Sequence, residues 1–128
     1  MSSPAFQIYI IDDESSVSEA YARLVRSAKM LPRTFPSVDE FMRAEVTDAD
    51  ACVISDVRMP GTSGLELPSL LARAGRTLPV ILVTAHDTQE TRDNARRVGA
   101  AAYFRKPVDD QALLDAIAWA VGAAAKVG

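Results

Sequence analysis

The feature that most constrains the fold is a run of small and apolar residues, 51–55, that ends in a single carboxylate. The run carries no charge, and Asp56 follows it directly. Pro60 and Gly61 come next, and neither residue can continue a strand. A short apolar run bounded by turn residues is typical of a strand that is buried on both faces. Asp56 is therefore predicted at the carboxyl end of such a strand, although a lone aspartate is more often a cap for the next helix.

Four further segments have the composition of strands, and with the central run they make five. The predicted strands cover residues 6–11, 31–35, 51–56, 78–84 and 100–104. The segments after the first and the fifth predicted strand have helical spacing of apolar residues, as at Val17, Tyr21 and Leu24, and we expect helices in the other three segments as well. This alternation predicts an α/β fold, a doubly wound five-stranded parallel sheet with helices on both faces. Of the two common strand orders we adopt 2-1-3-4-5, which gives a flavodoxin-like (βα)5 arrangement.

Two of the predicted helices carry local signals. Ser63 and Glu66 match a capping box, which predicts the start of the third helix. Pro68 is expected inside that helix, where it would remove a hydrogen bond and kink the first turns. The fourth helix, predicted over residues 87–98, has little apolar periodicity, so we expect it to be loosely docked and easily shifted.

Length and composition indicate one small globular domain. The 128 residues are 48% hydrophobic and 24% charged, and their net charge of −3 argues against a nucleic-acid surface. The single cysteine, Cys52, excludes a disulfide framework and a cysteine-rich zinc site. Residues 1–4 do not resemble the start of a secretory leader, and no uncharged apolar run approaches the roughly 18 residues of a membrane span. We expect a cytoplasmic protein without nucleic-acid or membrane binding, with a domain over 1–122 and a tail or linker start over 123–128.

Polar residues stand at the ends of four of the five predicted strands. They are Asp12 and Asp13, Asp56, Thr84, and Lys106. With strands about 4.8 Å apart, the acidic pair and Thr84 would flank Asp56, whereas a lysine must reach it from roughly 10 Å. Three crowded carboxylates need more positive charge than one lysine supplies, which predicts a divalent cation, and an all-oxygen site favours Mg²⁺. A metal ion and a lysine can together bind a phosphoryl group, and Asp56 would be the nucleophile that receives it.

The residues around these strand ends form five motifs. They are Ile11-Asp12-Asp13-Glu14, Ser55-Asp56-Val57-Arg58-Met59-Pro60-Gly61, Ser63-Gly64-Leu65-Glu66-Leu67, Val83-Thr84-Ala85 and Phe104-Arg105-Lys106-Pro107. With them the chain resembles the receiver domain of two-component response regulators over essentially its whole length. The resemblance implies that Asp56 accepts a phosphoryl group from the phosphohistidine of a histidine kinase or phosphotransfer protein. It implies a phosphoacceptor that assists its own phosphorylation and dephosphorylation, and not an enzyme.

The resemblance also assigns ligands to a metal and to the phosphoryl group. Mg²⁺, or Mn²⁺ in its place, would be held by oxygen donors from Asp12, Asp13, Asp56 and the backbone carbonyl of Arg58. Lys106 would contact a phosphoryl oxygen, and its peptide bond to Pro107 would be cis.

A switch is the third implication of the resemblance. Thr84 would move toward the phosphoryl group and Tyr103 would turn inward, which would remodel the surface of the fourth helix, fifth strand and fifth helix. On that surface the fourth helix carries a basic patch of three arginines, Arg92, Arg96 and Arg97. The patch suits an acidic partner or a second copy of the chain in a homodimer, and a plain solvated helix face is an equally good interpretation.

Two residues next to the predicted site depart from the usual pattern. Arg58 and His86 occupy positions that, in the resembled family, tune how long the phosphoryl group survives. We hypothesise that the cationic Arg58 and the bulky His86 obstruct the attacking water and prolong the phosphorylated state.

Two other classes of protein stay open beside a phosphoacceptor. One is a pseudo-receiver, a protein-binding module of the same fold that is not phosphorylated, against which the intact acidic set argues. The other is a phosphohydrolase with an aspartyl-phosphate intermediate, which usually needs a second carboxylate two residues after the nucleophile, where this chain has Arg58. Nucleotide binding lacks support because the chain contains neither G-x-x-x-x-G-K-[ST] nor G-x-G-x-x-G.

Overall fold

The computed structural model describes the backbone of residues 5–127 and the side chains of residues 5–123. In this part of the chain, strands and helices alternate in the order β1 (Gln7–Ile11), α1 (Ser15–Ser27), β2 (Leu31–Phe35), α2 (Val38–Arg43), β3 (Ala51–Asp56), a 3₁₀ turn (Gly64–Glu66), α3 (Leu67–Arg73), β4 (Val80–Thr84), α4 (Gln89–Arg97), β5 (Ala102–Arg105) and α5 (Asp110–Val127). The predicted absence of a leader concerns residues 1–4, and these lie outside the described residues, as does Gly128 at the end of the predicted tail. Because α5 continues through residues 123–127, the domain boundary at residue 122 stays a prediction.

The strands form one parallel sheet in the order β2-β1-β3-β4-β5, which confirms the predicted doubly wound, flavodoxin-like arrangement. Every residue of the central strand β3 is buried, as the uncharged run over residues 51–55 predicted, and the burial extends to Asp56. The edge strand β2 is mostly exposed, and it accommodates Pro32, which cannot donate a backbone hydrogen bond to a neighbouring strand.

Two hydrophobic clusters hold helices against the two faces of the sheet. On one face, Ile10 and Ile54 pack with Ala22 of α1 and Ile117 of α5. On the other face, strand residues pack against side chains of α2, α3 and α4, such as Phe41, Leu67 and Ala95. Since neighbouring side chains of a strand point to opposite faces, the nearly continuous apolar strands supply both clusters.

The helix α4 is held by little apolar contact, as predicted. Ala95 is the only buried residue of this helix. The helix begins at Gln89 and not at the predicted residue 87. The Thr88 side chain caps it by accepting a hydrogen bond from the backbone N–H of Thr91.

The kink predicted at Pro68 is wrong. The capping box of Ser63 and Glu66 is present, but it opens a 3₁₀ turn, and the α-helix begins only at Leu67. Pro68 therefore lies in the first turn of α3, where a backbone N–H has no partner within the helix and its loss costs nothing.

No helix within residues 5–127 combines the length and the hydropathy needed to cross a bilayer.

The 3₁₀ turn lies directly against the end of β3. A Cβ atom on Gly64 would lie 2.2 Å from the carbonyl oxygen of Asp56 and 2.9 Å from Oγ of Ser55. Such a contact is too short, so the absence of a side chain at Gly64 lets the two backbones meet.

We predict that Gly64→Ala lowers the free energy of unfolding by about 1–3 kcal/mol, because the added methyl group forces the turn away from β3. Gly122→Ala is the matched control, since a Cβ at this position of α5 meets nothing within 4 Å. That control should be neutral or slightly stabilising, as alanine favours a helix by up to ~1 kcal/mol over glycine. Urea denaturation of both variants is the measurement, and equal stabilities would contradict the close packing at Gly64.

Candidate functional site

The sheet brings the predicted site residues to one edge. Ile11 pairs with Ser55, Asp56 with Val83, and Thr84 with Arg105 in the parallel register. Because parallel strands end on the same side, Asp12 and Asp13 after β1, Asp56 on β3, Thr84 on β4 and Lys106 after β5 are neighbours. Open α/β sheets bind ligands at this carboxyl edge.

Three carboxylates form the centre of the site. Asp12, Asp13 and Asp56 each offer an oxygen, and these oxygens all lie within 4.8 Å of one another. Asp12 and Asp56 are 3% and 8% exposed, whereas Asp13 faces solvent. Oδ1 of Asp12 accepts a hydrogen bond of 2.9 Å from the backbone N–H of Glu14, which fixes this carboxylate. An all-oxygen set of this kind suits a hard divalent cation, so the acidic pocket is able to bind a metal.

Lys106 supplies the positive charge that the pocket contains. Its Nζ lies 3.0 Å from Oδ2 of Asp12 and 3.4 Å from Oδ1 of Asp56. Although burial alone would lower the pKa of Lys106, its hydrogen bond to Asp12 and the charge of Asp56 raise that pKa above its usual value. The lysine is therefore charged at neutral pH, and its peptide bond to Pro107 is cis, as expected.

One lysine does not neutralise three carboxylates. Burial raises the pKa of Asp56, and the negative charge of Asp12 raises it further, while Lys106 opposes both effects without cancelling them. The charged form of Asp56 is thus electrostatically unfavourable in the folded chain. A divalent cation or a change in the charge of Asp56 would relieve this imbalance.

Backbone contacts that the sequence did not predict hold the end of β3. The Ser55 hydroxyl donates to the carbonyl of Asp56, at 3.0 Å. The Ser63 hydroxyl and the Gly64 N–H both donate to the carbonyl of Val57, at 2.8 and 3.0 Å. These bonds fix the backbone on which the Asp56 carboxylate is mounted. A sequence signal existed, because a glycine in the first turn of a capped helix is costly and points to a close backbone approach.

The two predicted switch residues lie on neighbouring strands. Within the described residues, each makes its hydrogen bond to a different partner and not to the other. Thr84 is fully buried, and its Oγ1 accepts a hydrogen bond of 3.0 Å from the backbone N–H of His86. The Tyr103 hydroxyl donates to Oδ1 of Asp87, at 3.0 Å. Burial and this hydrogen bond raise the pKa of Tyr103 to about 12, so the hydroxyl keeps its proton at neutral pH. Asp87, which the sequence did not single out, also pairs with Arg92 of α4 at 2.8 Å.

Arg58 and His86, the predicted modulators, both have exposed side chains close along the chain to the strand ends. Arg58 lies two residues after Asp56, and His86 lies two residues after Thr84.

Two cavities are lined by predicted site residues, one by Lys106 and the other by Tyr103. One, of about 490 Å³, lies between α1 and the β5–α5 connection and is lined mainly by apolar atoms, with Ala20, Tyr21, Lys106 and Pro107 among its walls. The other, of about 320 Å³, lies between α4 and β5 and is lined by Arg92, Ala95, Arg96, Ala100, Ala102 and Tyr103.

Comparison with known proteins places this geometry in one family. The family model of the response regulator receiver domain matches residues 8–118. The transcriptional regulatory protein TdiR of Thauera aromatica is 35% identical over 113 residues, covering 88% of this chain and 50% of that protein. The transcriptional regulatory protein FixJ of Azorhizobium caulinodans is 36% identical over 121 residues, covering 94% of this chain and 57% of that protein.

A solved structure agrees with the sequence relatives. The crystal structure of FixJ-N superposes with a TM-score of 0.85 and 25% identity, covering 94% of this chain and 96% of that one. The chain spans about half the length of the curated relatives it matches. The family match, the sheet order and the acidic pocket agree, and the chain belongs to the response regulator receiver domain family.

Proposed function

We propose that this chain is a phosphoacceptor of two-component signalling, in which Asp56 receives a phosphoryl group from a histidine kinase or phosphotransfer protein. The observation that carries the proposal is the convergence of three carboxylates within 4.8 Å with Lys106 bridging Asp12 and Asp56. A structural ion pair needs one carboxylate for its lysine, and two more gathered at the same point serve no purpose in packing.

The carboxylate of Asp56 is the nucleophile in this proposal. One of its oxygens attacks phosphorus, the bond from phosphorus to the donor's imidazole nitrogen breaks, and the electron pair leaves with the imidazole. Lys106 is 3.4 Å from Asp56 and approaches the oxygens of the incoming group as an electrostatic partner. The hydroxyl of the buried Thr84 is the proposed hydrogen-bond donor to the phosphoryl group. Its oxygen accepts from the backbone N–H of His86, and this bond does not use the hydroxyl hydrogen.

The donor set fits Mg²⁺ or Mn²⁺, as the crowded and incompletely neutralised carboxylates indicate. Asp12, Asp13, Asp56 and the carbonyl of Arg58 are the proposed ligands. When bound, the cation would neutralise charge on the carboxylates and on the phosphoryl oxygens. Hydrogen bonds hold the carboxylate of Asp12 and the backbone carbonyl of Asp56, which supports the donor set before any ligand arrives.

The apolar cavity beside Lys106 is the proposed place of contact with the phosphodonor protein. Its walls come from α1 and from the loop after β5, and Lys106 is one of the residues that line it. An apolar partner side chain seated between Ala20 and Pro107 would bring a donor histidine to the carboxyl edge of the sheet. Acetyl phosphate is too small to need such a contact.

The proposed output is a change on the surface of α4, β5 and α5. The thin apolar contact of α4 favours its displacement. Thr84 and Tyr103 are the proposed switch pair, and the partner is an acidic surface or a second copy of the chain. This module is proposed to act in the cytoplasm, without catalysing turnover of a separate substrate and without binding nucleic acid or membrane itself.

The relatives are about twice as long and two are named transcriptional regulators, which supports an arrangement with a DNA-binding output domain. In that arrangement residues 1–122 are the receiver domain and residues 123–128 begin the tail or linker.

We predict that acetyl phosphate with Mg²⁺ adds one phosphoryl group to the chain and none to Asp56→Asn, as read by intact-mass spectrometry. Lys106→Ala should be phosphorylated roughly 100-fold more slowly, because an electrostatic partner of the reacting oxygens is lost. Asp115→Asn is the matched control and should behave as the unmodified chain, since Asp115 is exposed on α5. A phosphoryl group that persists in Asp56→Asn, or no addition at all, would favour the pseudo-receiver.

We predict that the double variant Arg58→Asn, His86→Glu loses its phosphoryl group roughly tenfold faster, which corresponds to ~1.4 kcal/mol of barrier. The substitutions remove a cation and bulk from the path of water and add a carboxylate that orients the water. Arg73→Asn, an exposed change on α3, is the control. Dephosphorylation is followed after removal of the donor, and an unchanged lifetime would refute the role of both side chains.

A further inference from the structure

Asp87 joins three parts of the molecule that the proposed switch must move together. It lies in the connection between β4 and α4, and its Oδ1 accepts a hydrogen bond of 3.0 Å from the hydroxyl of Tyr103 on β5. Its Oδ2 accepts a hydrogen bond of 2.8 Å from Nη1 of Arg92 on α4. The Asp87 side chain is only 18% exposed, whereas the Arg92 side chain is 43% exposed. Water therefore competes weakly at the carboxylate, and bonds to a charged, sheltered acceptor are stronger than ordinary ones.

The same connection is attached to the phosphoryl site. Thr84 is the last residue of β4, and its Oγ1 accepts the backbone N–H of His86, the residue directly before Asp87. A movement of the Thr84 hydroxyl toward Asp56 pulls on His86 and so displaces the backbone that carries Asp87. The chain of contacts from Thr84 to Tyr103 contains no gap.

We propose that Asp87 is a positioning residue that transmits the movement of Thr84 to Tyr103 and to α4. The inference rests on the proposed function, because phosphorylation of Asp56 is what displaces Thr84. Coupling of this kind is carried by an element that both sites bias, here the segment from Thr84 to Asp87.

The surface that responds is the cavity between α4 and β5. Two of its walls, Tyr103 and Arg92, are the two partners of Asp87. A shift of one carboxylate therefore changes the shape of the cavity and the position of a positive charge at its rim. Of the other wall residues, Arg96 is large, whereas Ala95, Ala100 and Ala102 are small and leave room beside the tyrosine ring.

The test compares amide NMR spectra before and after addition of beryllium fluoride, a phosphoryl mimic, with Mg²⁺. In the unmodified chain, amides around Asp56 and amides over residues 89–105 should both shift. In Asp87→Ala and in Tyr103→Phe, the amides around Asp56 should shift as before, whereas the shifts over 89–105 should fall to less than about half, because a hydrogen bond to a charged group has been lost. The double variant should lose no more than either single one, since the two residues act through one bond.

Two further variants separate positioning from a general loss of structure. Asp87→Asn keeps an oxygen that accepts from Tyr103 and should retain most of the response in α4 and β5. Asp93→Ala removes an exposed carboxylate of α4 that accepts a hydrogen bond from the Gln89 side chain, and this variant should respond fully. A response lost as completely in Asp87→Asn or Asp93→Ala as in Asp87→Ala would overturn the inference.

Failure of the inference and failure of the proposed function give different spectra. If the unmodified chain shows no change around Asp56, the proposed function fails and the inference fails with it. If the changes around Asp56 occur and extend undiminished over residues 89–105 in Asp87→Ala, the proposed function stands and the role of Asp87 is refuted.

Discussion

The molecule depends on an electrostatic imbalance at the carboxyl edge of its sheet. Asp12, Asp13 and Asp56 meet there against the single charge of Lys106, and the pKa of Asp56 stays raised. Such crowding costs folding free energy, and marginally stable domains tolerate little of it. The two apolar clusters on the faces of the sheet offset that cost. The hydrophobic core thus stabilises a fold in which these charges stay close together, and a ligand that neutralises them can bind there.

Much of this arrangement could be predicted from residues that obey local rules. The uncharged run before Asp56 became the buried strand β3, and the polar residues after the apolar strands became neighbours once the strand order was chosen. The prediction succeeded because burial on both faces demands continuous apolar residues, and because parallel strands end on one edge. The reach of Lys106 across two strands to Asp56 followed from the strand spacing together with the assumed strand order.

Features that depend on tertiary contact could not be predicted in this way. Pro68 was expected to kink a helix, but a 3₁₀ turn absorbs the capping box and leaves the proline in a first helical turn. Gly64 is required by a carbonyl eight residues earlier in the chain, and although a glycine after a capping serine hints at a close approach, the local pattern does not tell which backbone it meets. The hydrogen bond between Asp87 and Tyr103 joins the loop after β4 to the interior of β5, so the loop aspartate looked ordinary in the sequence.

The unfolding free energy of the chain and of Asp56→Asn, measured against pH without divalent cations, tests the central imbalance most directly. A carboxyl whose pKa is raised by folding binds its proton more tightly in the folded chain, so its ionisation lowers stability as pH rises. Asp56→Asn should therefore be more stable than the unmodified chain at pH 7, and the gain should shrink as pH falls and Asp56 becomes protonated. An Asn variant that is equally or less stable at pH 7 would contradict the account, because Asp56 would then be a satisfied partner of Lys106.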